Sequence, residues 1–324
     1  MLSRCRLWLV LALVLGGPAL VFAQSDYYSP VYAPRGITVQ AEALMLQRLN
    51  FLHDQPVVQR VEGLQTSNLI GTGNARFEDL GYGPKLLLGY MDSCDTGIEA
   101  VYFGTQSWRS VHDAAGANNL RVPGALGLAS IDYLDADRME TNYVSGVHNV
   151  EVNRVLIMDD WTLLGGFRWM NVNEHYNIHS VDLDSGASDY HVHATNNLMG
   201  GQLGIRVEKP LWVVDWEFEA KAGLFGNAAA QQTRIGDFNN TVVRRDAGAN
   251  GGNFAFIGEL DWYLSCDLAA NWSIRGGYNL MFVQGLALAP DQLDFTNNAA
   301  SSRNIDPTGG IFLHGVSAGL EHRW

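Results

Sequence analysis

Cysteine is scarce in this chain of 324 residues, with Cys5, Cys94 and Cys266 as its full complement. That count excludes a disulfide-rich scaffold in a protein of this length. If Cys5 belongs to a removable leader, Cys94 and Cys266 leave room for a single bridge. Positive charge is also sparse, 21 Lys and Arg against 34 Asp and Glu, so no nucleic acid is expected as a partner. Long hydrophobic runs are missing after the first 25 residues. No later segment approaches the roughly 20 apolar residues a spanning helix needs. A mature chain of this kind enters a membrane only as a closed barrel, because lipid satisfies no open sheet edge.

The apolar run that does exist stands at the start, in MLSRCRLWLVLALVLGGPALVFAQS. Arg4 and Arg6 precede it, Gly16-Gly17-Pro18 interrupts it, and Val21-Phe22-Ala23 ends it with small residues at the two positions a signal peptidase reads. Residues 1–23 are therefore expected to be a signal peptide and 24–324 the mature domain, exported from the cytoplasm. Without Arg4 and Arg6, 19 basic residues face 34 acidic ones, a net charge of −15.

What the mature chain has in abundance is alternation. In WVVDWEFEAKAGLFGN (212–227), Val214, Trp216, Phe218, Ala220, Ala222 and Leu224 occupy every second position, with Asp215, Glu217, Glu219 and Lys221 between them. Successive strand side chains point to opposite faces, so one face is apolar and the other charged. NFAFIGELDWYLSCDL (253–268) separates Phe254, Phe256, Leu260 and Trp262 from Glu259 and Asp261 in the same way, and NWSIRGGYNLMF (271–282) separates Trp272, Ile274, Tyr278 and Leu280 from Arg275. QLGIRVE (202–208) and WTLLGGFRWM (161–170) follow, with Arg206 and Arg168 on the less apolar face and Leu164 and Met170 blurring the second pattern. Fainter segments lie near 37–49, 84–91, 97–105 and 142–157, the last losing phase around Arg154. The final stretch, GGIFLHGVSAGLEHRW, alternates to a terminal Trp324.

Connections near 92–95, 158–160, 208–211 and 269–271 are turn-sized, whereas those after residues 50, 105, 172, 225 and 287 are long and polar. Short and long alternate, which predicts a single closed antiparallel up-and-down transmembrane β-barrel of about 10–12 strands, with short periplasmic turns and long outer loops. Twelve strands require a further hairpin within RVPGALGLASIDYL (121–134). Trp161, Trp212 and Trp272 each follow a short turn and Trp324 ends the chain on the same side, the pattern of an aromatic girdle anchoring one membrane interface.

Alternation by itself is equally compatible with a secreted soluble all-β binding protein, which would point the same apolar residues inward. The leader, the loop asymmetry, the girdle and the terminal Trp favour the membrane arrangement, apolar to lipid and charged to the lumen. Several stretches, among them GITVQAEALML, TGIEAVYFG, HNVEVN, WTLLGGFRWMNVNE, ATNNLMGGQLGIRVE and WEFEAKAGLFGNAA, resemble the bacterial putative beta-barrel porin (outer-membrane barrel) family. The resemblance is spread over the mature chain and implies a barrel in the bacterial outer membrane, in contact with its lipid. It carries over no functional residue.

On this orientation Asp215, Glu217, Glu219, Glu259 and Asp261 form an acidic lumen wall, joined by Arg168, Arg206 and Arg275. Such charges either line a passive, porin-like channel for small polar solutes, cations preferred, or pair across a narrow lumen and close it into a structural surface barrel. The segment NEHYNIHSVDLDSGASDYHVHA (173–194), read as a polar outer loop and strand end, gathers His175, His179, His191 and His193 with Asp182, Asp184 and Asp189. His191 and His193, two residues apart on one strand face, are the metal-ligand candidates and would also serve a rim hydrolase. Asp182-x-Asp184-x-Gly186 lacks the later bidentate Glu of a calcium loop. H-E-x-x-H is absent, and neither an enzymatic activity nor a cofactor is expected.

Overall fold

The computed structural model describes residues 36–92, 95–159 and 161–324. The expected signal peptide 1–23 lies outside the described residues, as does Cys94. The strands are β1 (Gly36–Phe51), β2 (Pro56–Glu62), β3 (Gln65–Gly71), β4 (Gly81–Met91), β5 (Thr96–Arg121), β6 (Ala136–Met158), β7 (Trp161–Asp182), β8 (Gly186–Leu211), β9 (Val214–Asp237), β10 (Val242–Ala269), β11 (Trp272–Leu286) and β12 (Gly309–Arg323). All pairings are antiparallel and belong to one sheet of 12 strands. β1 pairs with both β12 and β4, and β5 with both β4 and β6, so the sheet closes on itself. Among the described residues only β2 and β3 stand outside the ring, as a hairpin on the outer part of β5. That leaves ten strands in the closed wall, in the order β1-β4-β5-β6-β7-β8-β9-β10-β11-β12.

Closure satisfies every ladder that would otherwise be an edge. Residues 121–134 do not hold the extra ring hairpin. They form a short helix, α1 (Gly124–Ala129), and a helical turn at Ile131–Tyr133, because Leu126 and Tyr133 are buried in the mouth of the barrel where no neighbouring strand is free to pair with them.

The start of β1 and the end of β12 meet at the short-turn end, where Trp324 N–H donates to the carbonyl of Ile37. The long excursions all leave at the opposite end, yet three of the five continue the strands of the ring, and a fourth, after residue 50, holds the β2–β3 hairpin. After residues 105, 172 and 225 the chain continues in β5, β7 and β9 to Arg121, Asp182 and Asp237. The 173–194 segment is thus two strand arms, with only residues 183–185 in the turn.

The physical reason is an inversion of polarity along the strands. Near the short-turn end of β7, Leu163 and Phe167 face out while Arg168 is buried. Beyond Trp169 the outward positions are Asn171, Asn173, His175, Asn177 and His179, and the buried ones are Met170, Val172, Tyr176 and Ile178 together with the polar Glu174 and Ser180. β8 inverts alike, from exposed Leu203 to exposed His191 with Val192 and Tyr190 buried. Trp161 and Trp169 bracket the roughly 9–11 residues a tilted strand needs to cross hydrocarbon. Past that belt the wall obeys the rule of a soluble barrel, apolar inside and polar outside. A search for lipid-facing alternation reads such a segment as loop.

Within the belt the membrane orientation holds. Leu203, Leu224, Phe254, Leu260, Ile274 and Leu320 are exposed, whereas Glu99, Glu151, Glu219, Glu259 and Asp261 are buried. Trp216, Phe218 and Trp262 pack together on the outer surface, with ring centroids 6.4 and 5.3 Å apart along the series. A secreted soluble fold would place these rings inside. Arg154 does not break the phase of β6. It faces out near the short-turn end and donates to Thr96 Oγ1 at 3.0 Å, where a guanidinium can reach the headgroup level.

Candidate functional site in the barrel lumen

The charges expected in the lumen meet one another there. Arg168 Nη2 on β7 lies 2.6 Å from Glu151 Oε1 on β6 and also pairs with Glu259 on β10. Lys221 on β9 binds Glu151, Glu219 and Glu259 at 3.1, 2.9 and 3.1 Å. Arg206 on β8 reaches Glu219 at 2.5 Å and Glu99 on β5 at 3.0 Å. Arg275 on β11 binds Glu42 on β1 at 2.8 Å and Glu217 on β9 at 3.0 Å, with its guanidinium 3.7 Å from the Tyr263 ring centroid. Asp261 accepts from Asn279 Nδ2 at 2.7 Å and lies 3.5 Å from Lys85 on β4. Asp215 is half-buried at the short-turn end of β9.

Several of these pairs cross the lumen. β7 and β10 are three places apart in a ring of ten strands, and β4 and β10 are four. A buried charge without a partner is costly, so a narrow barrel lined by ionisable groups draws opposite signs together across its bore. Glu219, Glu259 and Asp261 bring carboxylate oxygens within 4.8 Å of one another, but Lys221 already binds two of them and Lys85 the third.

A second layer lies toward the outer end. Arg48 on β1, fully buried, pairs with Glu174 on β7 and with Ser145 Oγ, and its Nη2 is 3.2 Å from Tyr143 OH. Phe77 and Trp108 flank the guanidinium at 5.2 and 5.8 Å. Glu174 Oε2 also accepts from the Ala289 N–H at 2.7 Å, which fastens the β11–β12 loop into the mouth. Asn196 holds Ala287 through two hydrogen bonds of 2.8 and 2.9 Å, and Arg245 donates to the Asp294 carbonyl at 2.6 Å. Leu286, Leu288, Leu293 and Phe295 of this segment pack with Tyr133, Tyr176 and Tyr190 into an apolar plug. Between plug and charged layer is a cavity of about 20 Å³ bounded by Leu46, Lys85, Phe103 and Asp261, room for about one water.

Sequence reasoning missed Glu42, Arg48, Lys85, Glu99, Glu151 and Glu174 as site residues, and left Lys221 out of the lumen set. Each stands at an inward position of its strand, so parity was the available signal, but the partners are far apart in sequence. It also passed over Gly315-Val316-Ser317-Ala318-Gly319, which has the spacing of a hydrolase elbow. The stretch runs straight along β12, with Ser317 opposite Leu44 and Gly277, and lacks the strand-turn-helix bend that exposes such a nucleophile.

Trp161, Trp212, Trp272 and Trp324 are all exposed at the short-turn end. His191 and His193 lie on the outer face of β8 beyond the apolar belt, and His193 stands opposite His175 of β7. Asp182 accepts from the Asp184 N–H at 2.8 Å and from Ser185 Oγ at 2.7 Å, which ties it into the turn.

The family model described as Putative beta barrel porin-7 (BBP7) matches residues 140–324, more than half of the chain. The chain belongs to this family. As a BBP7 protein it is a porin-like β-barrel of the bacterial outer membrane. No curated protein sequence is significantly similar to it. Among solved structures it is similar to the outer membrane protease OmpT from Escherichia coli, with 8% identity over 93% of this chain and 99% of that one at a TM-score of 0.42. The translocator domain of the autotransporter NalP from Neisseria meningitidis shares 12% identity over 91% of both chains at 0.40. The Ralstonia pickettii toluene transporter TbuX shares 9% over 90% of both at 0.34. Likeness at this level says nothing of what the BBP7 chain does.

Proposed function

We propose that this BBP7 barrel is closed at rest and serves as a surface barrel that carries its projecting strands beyond the outer membrane, without catalytic activity. Residues 1–23 export it, residues 24–324 form the barrel domain, and Trp161, Trp212, Trp272 and Trp324 seat it at the periplasmic interface. The reading rests on the ion pairs that cross the lumen, that of Arg168 on β7 with Glu259 on β10 foremost. Barrels of about eight strands are filled by side chains and only much larger ones are open, and ten strands lie near the filled limit.

A second reading, passage of small polar solutes with cations preferred, is favoured by one feature. The β11–β12 loop is held to the wall by hydrogen bonds such as those of Asn196, which can exchange for water when the loop moves out. Asp215, Glu217, Glu219, Glu259 and Asp261, with Arg168, Arg206 and Arg275, would then line the path. Planar-bilayer recording separates the two. A closed barrel gives no steady conductance, with or without replacement of residues 288–307 by a short Gly-Ser turn. Steady conductance in the intact protein, reduced by Glu217→Gln with Glu219→Gln, would establish the channel instead.

A further inference from the structure

The outer face of the β7–β8 arms carries imidazoles that neither lumen nor girdle employs. His191 and His193 are two residues apart on β8 and share one face. The antiparallel register sets His175 of β7 opposite His193, and Asn177 opposite His191. Three imidazoles thereby occupy adjoining positions on one sheet surface, two along a strand and one across from it. The His175 and His193 rings lie 4.2 Å apart, only 5° from parallel.

We propose that His175, His193 and His191 form a binding site for a divalent transition cation of the zinc type on the outside of the barrel. Neutral imidazole binds such ions through a ring nitrogen at about 2.0–2.1 Å, and three histidines with an open fourth position are an established zinc ligand set. The His175 and His193 rings stack face to face, so binding one ion requires these outward-facing side chains to turn out of the stack and direct one nitrogen each toward it. His193 Nε2 lies 3.1 Å from Asn173 Oδ1 and 3.2 Å from Thr195 Oγ1. In the tautomer that carries its proton on Nε2, both oxygens accept from that N–H and the Nδ1 lone pair is left for the metal. A ligating histidine ordinarily has its second nitrogen held in this way.

His175 and His191 are exposed and stand past the apolar belt, so an ion reaches them from water. His179, further out, is engaged with Asp189 at 2.9 Å and is not part of the site. Arg234 stands opposite His191 on β9, and its positive charge makes His191 the weakest of the three ligands.

The test uses the full-length protein refolded in detergent micelles and Zn²⁺ alone, titrated calorimetrically, with Co²⁺ absorption reporting coordination. One Zn²⁺ per chain is expected, bound roughly tenfold or more weakly after His175→Ala or His193→Ala and by a smaller factor after His191→Ala. Asn173→Leu should weaken it by about 10- to 100-fold, as loss of an outer-shell partner does. His148→Ala and His314→Ala, whose rings lie beside Tyr102 and Tyr278, should bind as the parent does. All these side chains face outward, and unchanged heat-modifiable mobility establishes that each variant folds. No Zn²⁺ binding in the parent, or equal binding by the His175→Ala/His193→Ala double variant, overturns the site.

Discussion

Replacing Arg168 by Ala should destabilise the barrel through the charge it leaves unpaired in the lumen. The guanidinium is 1% exposed and bonds Glu151 at 2.6 Å as well as Glu259, themselves 1% and 5% exposed. Removing one partner of a buried pair leaves a charge uncompensated, at about 3–5 kcal/mol. Lys221 lies 3.1 Å from both carboxylates and retains them after the change, so the lower end, about 3 kcal/mol, is expected. One ammonium then serves three carboxylates, because Lys221 also binds Glu219 at 2.9 Å. Urea titration of the protein refolded into lipid vesicles, followed by tryptophan fluorescence, reads the loss. Arg168→Met combined with Glu259→Gln should recover part of it, with a coupling energy of about 1–3 kcal/mol between the sites. A single-variant loss under about 0.5 kcal/mol, with no coupling, would mean that the lumen pairs are solvated and the bore is wet.

Acidification should tighten the loop that fills the mouth. Burial pushes the Asp291 carboxyl up to about 6, against the lowering effect of the His53 backbone N–H and ring. A carboxyl raised in the folded state favours the protonated form, so its contribution is full below the ordinary carboxylate range and is lost as pH rises through about 6. The melting temperature of the parent relative to Asp291→Asn should therefore rise from pH 7 to pH 5, and a difference independent of pH would refute the assignment. In the wall, a Cβ at Gly83 would lie 1.6 Å from the Gly104 carbonyl oxygen. Gly83→Ala should lower stability by about 1–3 kcal/mol through overpacking, and an unchanged urea midpoint would show that β4 and β5 do not approach so closely.

Much of the belt was legible in the sequence, because lipid on one side and a polar lumen on the other impose strict alternation. Trp216 and Glu217, or Leu260 and Asp261, declare their faces by parity. The exposure of Trp161, Trp212, Trp272 and Trp324 at the short-turn end follows from turn length in the same local way. Whether the charges line a pore or seal it was not legible. Arg48 and Glu174 are 126 residues apart, and only ring closure brings β1 opposite β7. The outer arms were hidden for a different reason. In NVNEHYNIHSVD the alternation persists with the faces exchanged, Tyr176 and Ile178 inside and His175 and Asn177 outside, so a pattern defined by lipid contact ends while the strand continues. α1 was missed because its burial depends on the β11–β12 loop, through the bond from Leu126 N–H to the Phe295 carbonyl at 3.0 Å.

Arginine placed at two outward positions tests the inverted polarity most directly. Leu203 is 74% exposed within the apolar belt, and Gln232 is exposed beyond it, opposite His193. In lipid vesicles Leu203→Arg should cost about 2–4 kcal/mol, as a charge near the bilayer midplane does, and Gln232→Arg less than about 0.5 kcal/mol, as an ordinary surface change does. Equal and small losses at both positions would contradict the assignment of that face to lipid.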